Sequence, residues 1–220
     1  MAIVTPVDPK PFVGPLLAYC HRKNYPAKTD IIRPGDPPDT LYYIVDGSVT
    51  VIIEDEDGNE LVLAYLNAGD FIGEMGLFSK QDSRGALVRT RVKSEIAEIS
   101  YRKLLQLFDS GLREVREDLL FAIGAQLTKR LLETSRKVRD LAFVDVSGRV
   151  ARTLLQLSKQ PDAITHPEGM QIRITRQELA RIVGCSREMV GRVLKNLEGD
   201  GMVACSGKTM VVRTRRTDED

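Results

Sequence analysis

The sequence predicts an α+β chain in three consecutive parts: an antiparallel β domain, one long helix and a winged helix-turn-helix. Three observations predict it. Glycine-containing turns recur every 11 or 12 residues between β-prone runs of the first half, at Gly35, Gly47, Gly58 and Gly69. From Leu120 to Leu141 a seam returns at alternating steps of four and three residues. The stretch Ile174 to Leu197 meets several position-dependent requirements of two crossing helices together.

Composition bounds the answer before any motif is read. The 220 residues suffice for two small domains, and 42% hydrophobic with 29% charged residues is ordinary for a soluble protein. Met1 to Pro15 holds four Pro but no basic-then-apolar leader, and no run approaches a membrane span, so a cytoplasmic protein without a membrane partner is expected. Cys20, Cys185 and Cys205 are odd in number and far apart, which disfavours a disulfide scaffold or a zinc site and favours small buried residues. With only His21 and His166, the β domain lacks the ligands of a cupin-type metalloenzyme, so neither a metal nor an enzyme is expected. The net charge of +1 hides an asymmetry. Residues 146–216 carry 13 Lys and Arg against 6 Asp and Glu, whereas 1–145 carry 19 against 22, so one end suits a polyanion.

In the β domain, runs such as Leu41–Val45, Ser48–Ile53, Leu61–Leu66, Leu87–Val92 and Glu95–Ile99 alternate with turns, as in an antiparallel sandwich, jelly roll or barrel. Asp57-Gly58 marks the clearest hairpin. One stretch breaks the rhythm: Gly69 to Phe78 places three Gly in eight residues, with Arg84 shortly after. Such a loop can turn backbone N–H groups toward a phosphate, with Arg84 adding a charge-assisted contact and Glu74 accepting from a sugar hydroxyl; it can equally be a turn with surface charges.

The helix reads from Leu120 through Gly124, Leu127, Leu131, Thr134 and Val138 to Leu141, with no Pro and with Lys129, Arg130, Glu133, Arg136 and Lys137 mostly off the seam. Packing inside its own domain and pairing with a second subunit both fit. Thr134 and Ser135 put hydroxyls where a zipper would carry Leu, which makes them candidate ligand contacts.

In the last part Asp145 is the N-cap of a helix that ends near Pro161, and a loop follows to Gly169. Thr175 with Glu178 forms a capping box, Ala180 is small where helices cross, Gly184 permits a tight turn and Ser186 caps the next helix. Val190, Val193, Leu194 and Leu197 form the buried stripe of that helix. Arg187, Glu188, Gly191, Arg192 and Lys195 lie opposite. Arg pairs bidentately with guanine and a carboxylate accepts from cytosine, so the set suits a half-site containing G and C. Val203 and Thr209–Val212 around Ser206-Gly207-Lys208 read as a wing.

This order resembles the cyclic AMP receptor protein (catabolite activator protein) family of bacterial transcription regulators, over roughly residues 16–212 and most specifically in Gly69–Phe78, the Leu141–Val146 hinge and Ile174–Leu197. The resemblance implies a cyclic-nucleotide-binding jelly roll, or β-roll, over 1–117, a dimerisation helix and hinge over 118–144, and a winged helix-turn-helix over 145–220. It implies a homodimer paired through Leu120, Gly124, Leu127, Leu131, Val138 and Leu141, activated allosterically by cyclic AMP. Gly73 and Glu74 would contact phosphate and ribose, Arg84 and the Gly85 N–H the phosphate, and Thr134 and Ser135 the adenine, Ser135 reaching the other subunit's ligand. Arg187, Glu188 and Arg192 would read TGTGA-like inverted repeats, with Arg176, Ser186 and Lys195 on the DNA backbone. Thr165 and His166 match the family's loop for RNA polymerase, and the patch around His21, Lys23 and Lys103 is a weaker match. Gly85 stands where the family has Ser, and loss of that hydroxyl weakens affinity by about 1.5 to 3 kcal/mol. A branch with a similar Arg33-Pro34-Gly35-Asp36-Pro37 turn and Arg89-Thr90-Arg91 strand answers cyclic di-GMP instead, so the alternatives are a dimer controlled by that dinucleotide or one that is constitutive.

Overall fold

The computed structural model describes residues 10–56, 58–80, 82–160 and 163–213. Asp57 of the expected hairpin, Pro161 and Asp162 of the expected loop, and the tail after Arg213 lie outside them. The chain divides into two units, the residues up to Glu54 with Leu63–Glu133, and Asp55–Val62 with the residues from Thr134 onward.

The first unit contains helix α1 (Val13–Tyr19), strands β1 (His21–Tyr25), β2 (Asp30–Ile32), β3 (Thr40–Asp46) and β4 (Ser48–Glu54), most of β5 (Glu60–Asn67), and β6 (Phe71–Ile72). A short helix α2 (Met75–Phe78) precedes β7 (Leu87–Thr90), β8 (Ser94–Ser100) and α3 (Tyr101–Phe108); α4 (Arg116–Phe143) then starts here. The strands form two four-stranded sheets, ordered β1-β8-β3-β6 and β2-β7-β4-β5, with antiparallel pairing. This is the jelly roll.

Alternation along β3, β6 and β8 of the first sheet divides its apolar residues between two layers. Leu41 and Tyr43 of β3, Phe71 of β6, and Ala97 and Ile99 of β8 face α1, α3 and the start of α4, packing on Phe12, Leu16, Leu104, Leu119 and Ile123. Ile44, Ile72 and Ile96 point the other way, into the core between the sheets with Ile32, Val49, Leu66 and Val88. Strands β3, β6 and β8 therefore have a partner layer on both sides. The four recurring glycines all take positive φ, as their turns require.

In the second unit, the end of α4 is followed by α5 (Val146–Leu157), β9 (Ile164–His166), β10 (Gly169–Arg173), α6 (Arg176–Val183), α7 (Arg187–Gly199), β11 (Val203–Ser206) and β12 (Thr209–Val212). Asp145 accepts from the Gly148 N–H at 2.9 Å as the N-cap of α5. The stretch expected to be a loop before Gly169 contains a strand instead. Ile164–His166 pairs with β10, and the wing becomes a four-stranded sheet ordered β11-β12-β10-β9. Val150, Leu154, Leu179, Val190, Leu194 and Met210 are at the centre of its core.

Candidate nucleotide pocket and nucleic-acid interface

The Gly69–Phe78 stretch folds into β6 and α2, and Arg84 returns to it from the loop before β7. Gly73 has φ +80, and a Cβ there would lie 2.7 Å from Arg84 Nη1 and 2.9 Å from the Thr40 carbonyl, so a side chain is excluded by both backbone and crowding. Arg84 is only 7% exposed. Its Nη1 donates to the Gly73 carbonyl and the Tyr101 hydroxyl, both at 3.1 Å, and its Nη2 donates to the Thr40 carbonyl at 2.6 Å. Tyr101 also donates to Gly73 O. Burial raises the Tyr101 phenol above its ordinary value, against the opposing pull of Arg84, so it keeps the proton that it donates.

Glu74 is 2% exposed and held by Arg130 of α4 at 2.6 Å. Arg130 also donates to the Phe71 carbonyl, which additionally accepts from Gln126 at 2.8 Å, while Gln126 Oε1 accepts from the Phe71 N–H at 2.7 Å. Strand β6 is an edge strand, and the Gln126 amide stands in for a neighbouring strand. Gly73, Glu74 and Arg84 are thus brought together, with their charged groups already paired inside the chain. Gly85 is exposed, and a Cβ there would meet nothing within 4 Å.

Along α4, the side chains buried by the chain itself are Leu119 and Ile123. Leu120 and Leu127 are half-buried against the same core. Leu131, Val138 and Leu141 are exposed, as are Phe121 and Leu132, and a Cβ at Gly124 would meet nothing within 4 Å. Thr134 and Ser135 are exposed and belong to the second unit. The expected seam is therefore an apolar stripe beside the face that docks on the roll.

The helix-turn-helix forms as its residues require. Thr175 caps α6 by accepting from the Glu178 N–H at 3.0 Å, and Ser186 caps α7 by accepting from the Met189 N–H at 3.1 Å. Between them Gly184 takes the left-handed conformation, φ +71 and ψ 56. Val190, Val193, Leu194 and Leu197 are buried, while Arg176, Ser186, Arg187, Glu188, Arg192 and Lys195 are all exposed. Arg149 joins helix ends, donating to the Val144 carbonyl after α4 at 2.8 Å and to the last α6 carbonyl, Val183, at 3.2 Å. Thr165 is exposed on β9, and the half-buried His166 accepts at Nδ1 from the Glu168 N–H at 3.3 Å. In the first unit His21 and Lys23 are exposed on β1, and Lys103 of α3 donates to the Tyr19 carbonyl at 2.7 Å.

Sequence reasoning missed Gln126, Arg130, Tyr101 and Arg149. None belongs to an apolar period, and the only available signal was a polar residue inside an otherwise packed helix. The cysteines are half-buried rather than buried, and they are free. Among the described residues no helix is long and apolar enough to cross a membrane.

Residues 22–110 match the cyclic nucleotide-binding domain, and residues 148–217 match the Crp-like helix-turn-helix domain. These two matches, with the long helix between them, define a ligand-binding module joined to a DNA-binding one. The CRP-like protein Clp of Xanthomonas oryzae pv. oryzae is 56% identical over 196 residues, covering 89% of this chain and 85% of that protein. The solved structure of CLP from Xanthomonas campestris, a c-di-GMP responsive global regulator, aligns with TM-score 0.89 at 54% identity over 92% of this chain and 98% of that one. A transcriptional regulator of the CRP/FNR family from Thermus thermophilus aligns with TM-score 0.73 at 26% identity, over 88% and 94%. The chain belongs to the cyclic AMP receptor protein family of DNA-binding transcription regulators, and its relatives are regulators, not enzymes.

Proposed function

We propose that this protein is a homodimeric transcription regulator whose DNA binding is controlled by cyclic di-GMP rather than by cyclic AMP. The carrying observation is the state of the cassette: Arg84 and Glu74 are buried and matched to Thr40, Gly73, Tyr101 and Arg130. A nucleotide entering there would have to break those bonds before making its own, and Gly85 offers no hydroxyl in return. The c-di-GMP responsiveness of CLP, at 54% identity, supports the same reading. The dimer pairs through Leu120, Gly124, Leu127, Leu131, Val138 and Leu141, of which Leu131, Val138 and Leu141 are exposed in the single chain.

Arg187, Glu188 and Arg192 read base edges in the major groove of an inverted repeat resembling TGTGA, while Arg176, Ser186 and Lys195 hold phosphates. Ligand shifts the pairing of the two α4 helices, and the hinge after α4 passes that shift to recognition helices about 34 Å apart on the DNA. Thr165 and His166 contact RNA polymerase. A DNA-binding regulator acts where the chromosome is, which places it in the cytoplasm.

Titration of the full-length protein with each nucleotide by calorimetry, followed by DNA shift with each, tests this. Cyclic di-GMP is expected to bind and to change DNA affinity at least tenfold, with cyclic AMP doing neither at equal concentration; the reverse pattern overturns it. One observation favours cyclic AMP as a second reading. Arg130 Nε is buried without a hydrogen-bond partner among the described residues, and a ribose hydroxyl at Glu74 would supply one.

A further inference from the structure

Glycine inside a helix is less stable than alanine, so an interior glycine calls for a reason. The chain supplies one for Gly148 of α5, where a Cβ would lie 2.8 Å from Val144 Cγ1. It supplies none for Gly191. That residue is the fifth of the 13 in α7, its φ is not positive, and a Cβ there would meet nothing within 4 Å. Neither packing nor backbone conformation within the chain requires it. Arg187, Gly191 and Lys195 follow one another at steps of four, so they form a single ridge on the helix surface. Both cations are exposed, and each stands about 6 Å along the axis from the glycine. The ridge therefore has a notch between two positive side chains. It runs between the buried stripe of Val190, Val193, Leu194 and Leu197 and the exposed ridge of Glu188 and Arg192.

We propose that Gly191 is the point at which the sugar-phosphate backbone of duplex DNA passes closest to α7, and that its missing side chain sets how deeply the helix enters the major groove. A helix with its side chains is about 10 to 12 Å across and the major groove about 12 Å wide, so a helix that reaches the base edges has little room at the groove wall. Glu188 and Arg192, opposite the buried stripe, point to the floor of the groove. The ridge of Gly191 lies to one side of them and faces the wall. It runs from Arg187, at the end of α7 that enters the groove, to Lys195, where cation and phosphate meet. A methyl group at Gly191 would strike the backbone between those two contacts and hold the helix off the bases. The glycine gives up helix stability in the free protein for closer seating in the complex. The assignment rests on the reading above that α7 is the base-reading helix.

Fluorescence anisotropy of the full-length protein on two labelled duplexes, without nucleotide and with cyclic di-GMP, tests it. One duplex carries the TGTGA-like inverted repeat and the other the same bases scrambled. The variants are Gly191→Ala, Gly199→Ala and Arg192→Ala. Gly199 is the last residue of α7, exposed, and a Cβ there would also meet nothing within 4 Å, which makes it the control. In whichever nucleotide state the wild type binds more tightly, Gly191→Ala is expected to weaken binding at least tenfold on the repeat and at least threefold on the scrambled duplex, because the backbone is common to both. Its urea midpoint is expected to rise, so the loss is not one of folding. Gly199→Ala is expected to stay within twofold of wild type on both duplexes. A smaller loss in Gly191→Ala, a loss confined to the repeat, a lowered urea midpoint, or an equal loss in Gly199→Ala each overturns the assignment. If Arg192→Ala binds the repeat at wild-type affinity, the base-reading role of α7 itself fails.

Discussion

An arginine that is only 7% exposed must give its donors to something, and Arg84 gives them to Thr40, Gly73 and Tyr101. Its importance was legible in the sequence because it follows a glycine-rich turn. Its partners were not, since Thr40 and Tyr101 are brought to it only by the folding of β3 and α3 onto the cassette. Glu74 repeats the lesson, with Arg130 arriving 56 positions later. At this scale the thiols carry a prediction. Burial raises the Cys20 thiol to about 11 despite nearby Lys103, and burial likewise raises Cys185 and Cys205. At pH 8 the thiolate of Cys20 should alkylate with iodoacetamide about a hundredfold more slowly than an ordinary thiol of pKa about 8.5, as followed by mass spectrometry. Alkylation at the ordinary rate would show that its burial is not maintained in solution.

Among the elements, those with a clean period or a cap were read correctly, whereas β1 and β9, which lack both, were not. The helix-turn-helix was legible through Thr175, Gly184 and Ser186, each of which answers a local backbone need. Strand β1, with only Tyr25 buried, has no alternation to read, and it exists because it pairs along β8. Strand β9 is likewise made by β10. In α4 the apolar seam was visible but the docking face was not, because Gln126 and Arg130 anchor it with polar groups. The cap of α7 supports a prediction. Ser186→Ala removes the oxygen that accepts from the Met189 N–H, and should lower unfolding stability by about 1 kcal/mol, read as a reduced urea midpoint with unchanged m-value.

For the whole molecule, the jelly roll, long helix and winged helix-turn-helix were all legible, because glycine spacing, heptad steps and capping residues are written locally. The identity of the ligand was not, because it depends on which charges are already paired once the chain has folded. The stripe with Leu131 68% and Val138 60% exposed belongs to this scale. Leu131→Asp is expected to shift a dimer to monomer in sedimentation velocity and to weaken binding to an inverted repeat at least tenfold, with the secondary structure retained. A dimer of wild-type affinity would mean that pairing uses another surface.

The anchoring of α4 has a mechanical consequence. Lifting the helix from β6 would leave the Phe71 amide and carbonyl and the Glu74 carboxylate without the partners they now have, at roughly 1 to 3 kcal/mol for each group. Detachment is thereby made expensive, so the first half of α4 stays seated on the edge strand β6 as a layer of the roll.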